Sequence, residues 1–381
     1  MGEWPFRALG ELVDNFDGRR VPVKESDRRP GPYPYYGASG AVDHVDGYLF
    51  DGEYLLVAED GENLRTRKTP VAFLASGRFW VNNHAHILKA TNEADTRFLN
   101  YALSVADIGG YITGSTMPKL TQGNLHKIPV VAPPLAEQRR IASILGALDD
   151  KIELNLRTSE TLEQTAQALF KSWFLDSEPD ASDQNGSLGD AVDLQRDLVD
   201  PQLEPDTVFQ HYSLPAYDAG REAISEPGAG IRSSKLAVPW GSVLLSKLNP
   251  DIDRVWLPDI RPADRPICST EFLVLRPRAG VGRAFVFEFL RSAPFRSTLT
   301  SLVTGTTGSH QRAHAEAILQ VQMRLPGPSR AARFERIVGP MLDRVAVARR
   351  ESRTLVALRD ALLPRLLSGE TTPYFGRGQG A

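Results

Sequence analysis

PPLAEQRRIASILGALDDKIELNLRTSETLEQTAQALFKSWF, residues 133–174, decides the architecture. Its residues Ile141, Leu145, Leu148, Ile152, Asn155, Ser159, Leu162, Ala166, Leu169 and Trp173 are separated by four and three positions in alternation. That 3.5-residue period is a heptad seam. Two prolines open the segment, where the amide they lack would be unpaired anyway. Glu137 follows at the positive end of the helix dipole. From Glu137 to Phe174 a helix would run about 55 Å at 1.5 Å per residue. A seam that long requires a partner.

The partner lies in the same chain. Adding 193 to each seam position gives Phe334, Val338, Met341, Val345, Ala348, Ser352, Leu355, Arg359, Leu362 and Leu366. The register holds without a gap, and Leu148–Ile152 (LDDKI) matches Met341–Val345 (MLDRV) around a shared Asp. Both seams turn small or polar at the middle, a composition that fixes register at some cost in stability. Gly339-Pro340 is expected to break the start of the second rod and Pro364 to kink its end. The duplication extends to the globular parts. Leu188-Gly-Asp190 echoes Leu9-Gly-Glu11, and Gly241–Ser246 echoes Gly52–Val57. Ile267–Leu275 echoes Trp80–Leu88, and Thr307-Gly-Ser309 echoes Thr113-Gly-Ser115.

The expected class is therefore α+β. Two mixed α/β domains are separated by two long helices packed as an antiparallel coiled coil, with an internal pseudo-two-fold repeat. The divisions fall at 1–132 (first domain), 133–175 (first rod), 176–328 (an acidic linker through Gly189, then the second domain), 329–370 (second rod) and 371–381 (flexible tail). A short helix is expected over 95–106.

The whole chain of 381 residues has a net charge of −3, which argues against indiscriminate nucleic-acid binding. Its distribution is uneven. Residues 134–178 carry 5 basic and 8 acidic residues, and 329–381 carry 10 and 5, so the two rods have opposite sign. Residues 231–328 carry 13 basic and 7 acidic residues, which allows a local basic face. No apolar run approaches a membrane span. The one cysteine, Cys268, excludes an internal disulfide and reads as a buried small hydrophobe. A cytoplasmic location is expected.

Catalytic motifs for phosphate cradling, dinucleotide binding, nucleophilic elbows or zinc proteases do not occur. His310 and His314 have i, i+4 spacing without a further ligand, and His84 and His86 fit a polar-contact role better than ligation, so no metal site is expected. What the sequence offers is a reader's equipment. Gly/Ser/Thr-rich loops before each rod carry Lys119, Gln122 and Asn124 in the first domain. Those of the second carry His310, Gln311, Arg312 and His314. Arg65, Arg67 and Lys68 add a basic cluster, matched by Lys247, Asn249 and Arg254, and Asn82, Asn83 and His84 face Ser269, Thr270 and Glu271 in the repeat. Lys and Arg position phosphates, while Asn, Gln and Arg read base edges.

The run Pro133-Pro134-Leu135-x-Glu137-Gln138-x-x-Ile141-x-x-Ile144-Leu145, followed by Leu148-Asp149-x-Lys151-Ile152, resembles the hallmark of the specificity (S) subunit of type I restriction–modification enzymes. Trp4, residues 35–40 (YYGASG) and residues 366–370 (LLSGE) resemble that family too. The resemblance implies a non-catalytic subunit whose target-recognition domains each read one half of a bipartite double-stranded DNA sequence. The helices would set the spacer and dock two modification (methyltransferase) subunits, through Pro133, Pro134, Leu135, Glu137 and Gln138. Restriction subunits complete the larger complex. No cofactor is implied in this chain: S-adenosylmethionine would be bound by the modification subunit, and ATP and Mg by the restriction subunit. The modified base would be an adenine flipped from the duplex. The second rod opens Leu325-Pro-Gly-Pro-Ser329 and departs from the family's motif there. A coiled-coil protein–protein scaffold without sequence-specific DNA binding is the alternative.

Overall fold

The computed structural model describes residues 4–304 and 311–371. The chain divides into two compact units, Met1–Leu154 with Ser352–Ala381, and Asn155–Glu351. Two long helices, α1 (Leu135–Phe170) and α2 (Pro328–Leu367), each contribute one part to each unit. A π-helical turn over Lys171–Leu175 continues α1. No described helix is long and apolar enough to cross a membrane.

In the first unit the start of α1 meets the end of α2. Ile141 and Leu145 share one core with Leu366 and Leu367, and Leu362 packs at its margin. Arg359, at a seam position, donates to Asp149 at 2.8 Å. In the second unit the end of α1 meets the start of α2, where Phe170 and Trp173 pack edge-on against Phe334. The two helices thus run antiparallel within each unit. Every seam position is buried or half-buried: Val338, Val345 and Ala348 are buried, and Leu148, Ile152, Leu162, Leu169, Met341 and Leu355 half-buried. Asn155 is 2% exposed and donates through Nδ2 to Glu351 at 3.0 Å.

Helix α2 continues through both Gly339-Pro340 and Pro364, so the break expected at its start does not occur. Pro340 is exposed while Val338 and Leu342 on either side are buried in the core. Burial of those neighbours offsets the one backbone bond that the proline removes.

Each unit holds the same four-stranded antiparallel sheet. In the first its strands are β1 (Val13–Asn15), β2 (Tyr54–Ala58), β3 (Ala72–Ala75) and β4 (Ala85–Ala90), in the order β1-β4-β2-β3. In the second they are β5 (Val192–Gln195), β6 (Val243–Ser246), β7 (Val255–Trp256) and β8 (Phe272–Pro277), in the order β5-β8-β6-β7. Burial on both faces explains their continuous apolar runs: Leu55 and Val57 face one core, Leu56 the other. Val243 and Leu245 correspond to the first pair, and Leu244 to Leu56.

A helix covers each sheet. That of the first unit spans Thr96–Val105, with the Asp95 side chain accepting from the Phe98 amide at its N-terminus. Its counterpart spans Arg283–Arg291. A second sheet completes each unit, built in the first on Pro30–Gly37 parallel to Arg78–Val81 and in the second on Val208–Tyr212 parallel to Pro266–Cys268. Cys268 is buried there, and burial pushes its thiol up to about 12.

Two sequence expectations shift. Strand pairing sets Leu55 opposite Leu88 and Val243 opposite Leu275, so Val243 corresponds to Leu55 and not to Tyr54. The Leu-Leu doublet invites a one-residue slip that would exchange the two faces of the strand. In the stretch 176–189, read as a linker, Gln184–Ser187 forms a strand against Gln322–Leu325, as Phe6–Ala8 does against Pro129–Val131. The echo at Thr307–Ser309 lies outside the described residues, as does the tail beyond Thr371.

Candidate nucleic-acid interface

The residues singled out in the first domain come from three stretches that the fold joins with main-chain hydrogen bonds. At the end of β2 the Glu59 amide donates to the His84 carbonyl (2.9 Å), and the Leu120 amide donates to the Glu59 carbonyl (2.8 Å). The Gly61 amide donates to Pro118 (3.1 Å). Thr113 and Lys119 exchange amide bonds of 2.8 and 2.7 Å, closing a hairpin loop. Arg65 clamps this loop by donating to the Gly114 carbonyl at 2.5 Å. Gly114 has a φ of +85°, and a Cβ there would lie 2.2 Å from the Met117 carbonyl oxygen, so glycine is required.

The second domain repeats the frame bond for bond. Lys247 donates to Glu271 (3.0 Å), Ala313 to Lys247 (3.0 Å) and Asn249 to Gln311 (2.8 Å). The bridge between Asp60 and Lys119 has its counterpart between Leu248 and Arg312. Lys119 and Arg312 therefore occupy one position, His84 and Glu271 a second, and Glu59 and Lys247 a third.

Side chains at two of these positions differ in charge, and the cation at the other is paired differently. Lys119 lies 3.1 Å from Glu59, whereas Arg312 makes a two-pronged pair with Glu271, at 3.1 Å from Nε and 2.8 Å from Nη2. The two cations are 50% and 51% exposed. The carboxylate at Glu271 holds the Arg312 guanidinium above its usual range. Burial works to raise the Glu59 carboxyl, but hydrogen bonds from Arg20 (2.6 Å) and Lys119 outweigh it and hold that group low. His84 faces Asp60 at 2.8 Å from the turn before β4. Lys68, Asn83 and Gln122 are exposed around this frame, and Asn124 is half-buried, donating to the Tyr111 carbonyl.

Three residues expected at the surface support the loops instead. Arg254 is 8% exposed and forks onto Asp218 with two 2.7 Å bonds. Asn82 is 9% exposed and accepts from the His84 amide. Arg67, at φ +48°, donates to the carbonyls of Leu103 and Ala106 at the end of the covering helix. Arg254 and Asn82 are buried and already paired, whereas Arg67 is exposed. In the second domain Lys247 is half-buried, Asn249 sits at φ +46°, Gln311 is half-buried and His314 is exposed before the helix Ala315–Leu319. His310 lies outside the described residues.

Sequence reasoning missed the cluster beneath the first frame. Asp17, Glu59 and His86 bring ligand-type atoms within 4.8 Å of one another. His86 is 1% exposed, with Nδ1 2.5 Å from Asp17 and Nε2 2.7 Å from the Leu120 carbonyl. Arg20 and Lys119 already pair with the carboxylates, and both ring nitrogens are engaged, so the cluster is an ion-pair network that fixes the frame. The signal was the His among the apolar residues of Ala85–Leu88.

At the start of α1, Gln138 is 2% exposed. It accepts from the Asp95 amide (3.0 Å) and donates to the carbonyls of Glu93 (3.3 Å) and Pro133 (2.8 Å). It fastens the helix to its own domain. Pro133 is buried and Leu135 half-buried, Glu137 pairs with Arg140 at 2.6 Å, and Pro134 is exposed.

Comparisons with known proteins agree with this architecture. The family described as "Type I restriction modification DNA specificity domain" matches residues 1–164. The MjaIX type I restriction enzyme specificity subunit of Methanocaldococcus jannaschii is 24% identical over 97% of this chain and 93% of its own. A candidate type I specificity subunit of Haemophilus influenzae is 38% identical over 150 residues, which span 38% of this chain and 37% of that one. The HindI specificity subunit of the same organism is 33% identical, the match spanning 26% of its length. The crystal structure of the S subunit from M. genitalium superposes with a TM-score of 0.72 at 15% identity, covering 98% of this chain and 97% of that one, and shares the fold. Residues 1–164 thus match the type I restriction–modification DNA specificity domain, and over nearly its whole length the chain is similar in sequence to one specificity subunit of such a system and in fold to another.

Proposed function

We propose that the chain is the DNA-reading subunit of a type I restriction–modification complex, each globular domain reading one half of a bipartite double-stranded target. The observation that carries this is the repeated frame. One set of main-chain bonds recurs in both units, and it presents different side chains at equivalent positions. Such an arrangement suits two readers of one shape and unequal sequence. Lys119, Lys68, Asn83, His84 and Gln122 form one contact set; Lys247, Arg312, Gln311 and His314 form the other. Cations place phosphates and the polar edges discriminate bases.

The paired helices set the length of the unspecified spacer and offer docking faces to two modification subunits, with exposed Pro134 and Glu137–Arg140 at one of them. S-adenosylmethionine belongs to the modification subunit, and ATP and Mg to a restriction subunit. The test is a methylome of cells expressing this chain with its modification subunit, compared with cells lacking it. A new modified motif with a central gap is expected. No new motif from a verified complex would favour a scaffold that reads no DNA.

A further inference from the structure

The second unit contains a cleft of about 260 Å³ directly beneath its frame. Lys247 and Thr270 form its rim, Leu194, Phe272 and Leu273 its apolar wall, and Arg196 and Glu316 stand at its mouth 3.3 Å apart. Strand register locates the corresponding place in the first unit. Leu194 lies opposite Leu275 as Asn15 lies opposite Leu88, so Arg196 matches Asp17, and Leu273 matches His86. Lys247 matches Glu59. Those three positions of the first unit hold the network that Arg20 and Lys119 complete, which fills the space with paired charge. In the second unit the carboxylates and the imidazole are replaced by two cations and a leucine. The one ion pair here, between Arg196 and Glu316, is exposed at the mouth, and the space behind it stays open.

We infer that this cleft receives one base of the half-site read by the second domain, displaced from the helical stack; the inference rests on the DNA-reading function proposed above. A planar ring suits the apolar wall, Gln195 and Thr270 offer hydrogen-bond partners for its edge, and Lys247 attracts the attached phosphate. The first domain, whose equivalent space is packed, reads its half without displacement. The cost of unstacking falls at flexible pyrimidine–purine steps and adds discrimination at that position.

The test uses the complex of the full chain with its modification subunit and duplexes of its own motif. 2-Aminopurine is placed in turn at each position of both half-sites. A several-fold rise in fluorescence is expected at one position of the second half-site that is not the methylated adenine, and at no such position of the first. Ala315→Trp, which narrows the cleft, abolishes that rise and weakens binding on the order of tenfold. Thr270→Trp, at an exposed rim position, does the same and guards against misfolding of the first variant. Absence of a rise at every position other than the methylated adenine, or full binding and fluorescence in both variants, overturns the inference. A complex that binds none of its motif duplexes overturns the reading function itself.

Discussion

Lys119 and Arg312 stand at the same point of one repeated frame, but a carboxylate holds each from a different side. Glu59, at the end of a strand, holds Lys119, and Glu271, in the opposite turn, holds Arg312. Changing the two cations should have different effects. Lys119→Ala should weaken binding nearly uniformly across sequences and reduce the salt slope by about 1. Arg312→Lys should relax discrimination at a single base pair of the second half-site, because the planar fork is lost while the charge remains. Binding measured against salt checks the first, and methylome sequencing of Arg312→Lys checks the second, where an unchanged motif would contradict it.

Gln138 gives a stability prediction. Its amide joins the first turn of α1 to the Glu93–Asp95 segment by two hydrogen bonds and donates a third to the Pro133 carbonyl. Gln138→Glu keeps the acceptor but loses both donations, and should cost about 1–3 kcal/mol in urea unfolding. Pro134→Ala, at an exposed position, should leave stability nearly unchanged.

Glu288 should make stability depend on pH. Its side chain is fully buried, and burial pushes the carboxyl up to about 7 despite Arg291 at 3.5 Å. Glu163 and Asp253 also face it and raise it further. The folded value lies above the ordinary one, so the contribution is fully present below about pH 4.5 and is lost as pH rises through about 7. The loss is at most about 3 kcal/mol. Glu288→Gln should therefore raise Tm at pH 8 and leave it nearly unchanged at pH 5. Asp17 and Glu59 are held low and act in the opposite sense, losing their contribution as pH falls through their lowered values.

Spacer length should follow helix length. Adding four residues to both α1 and α2 adds about 6 Å of rise, which corresponds to one or two base pairs. The modified motif should keep its two halves and gain that many unspecified positions. An unchanged gap would refute the ruler.

The coiled-coil seam was legible because periodicity is a one-dimensional signal, and Ile141 and Leu366 needed only their spacing to be placed. Its polar middle was legible as composition, though not the bond from Asn155 to Glu351, which depends on side-chain reach across the pair. The frame was not legible. Its bonds join residues tens of positions apart, such as Glu59 with His84 and Leu120, and main-chain atoms carry no sequence signature. Arg254 and Asn82 were misplaced for a related reason. Composition marks a side chain as polar without saying whether Asp218 or a neighbouring amide already claims it. The slip between Tyr54 and Val243 arose where adjacent leucines face two different cores.

Because the backbone path of the frame rests on main-chain bonds, the side chains at its three equivalent positions can change together, each domain keeping its own set of ion pairs. Glu59 can become Lys247, and His84 can become Glu271, with the backbone path intact. Exchange of the side chains presented there is therefore coupled to the pairs beneath them, as the change of Asp17 to Arg196 and of His86 to Leu273 shows. One backbone path can thus carry two unlike sets of side chains, provided that each set is balanced within its own domain.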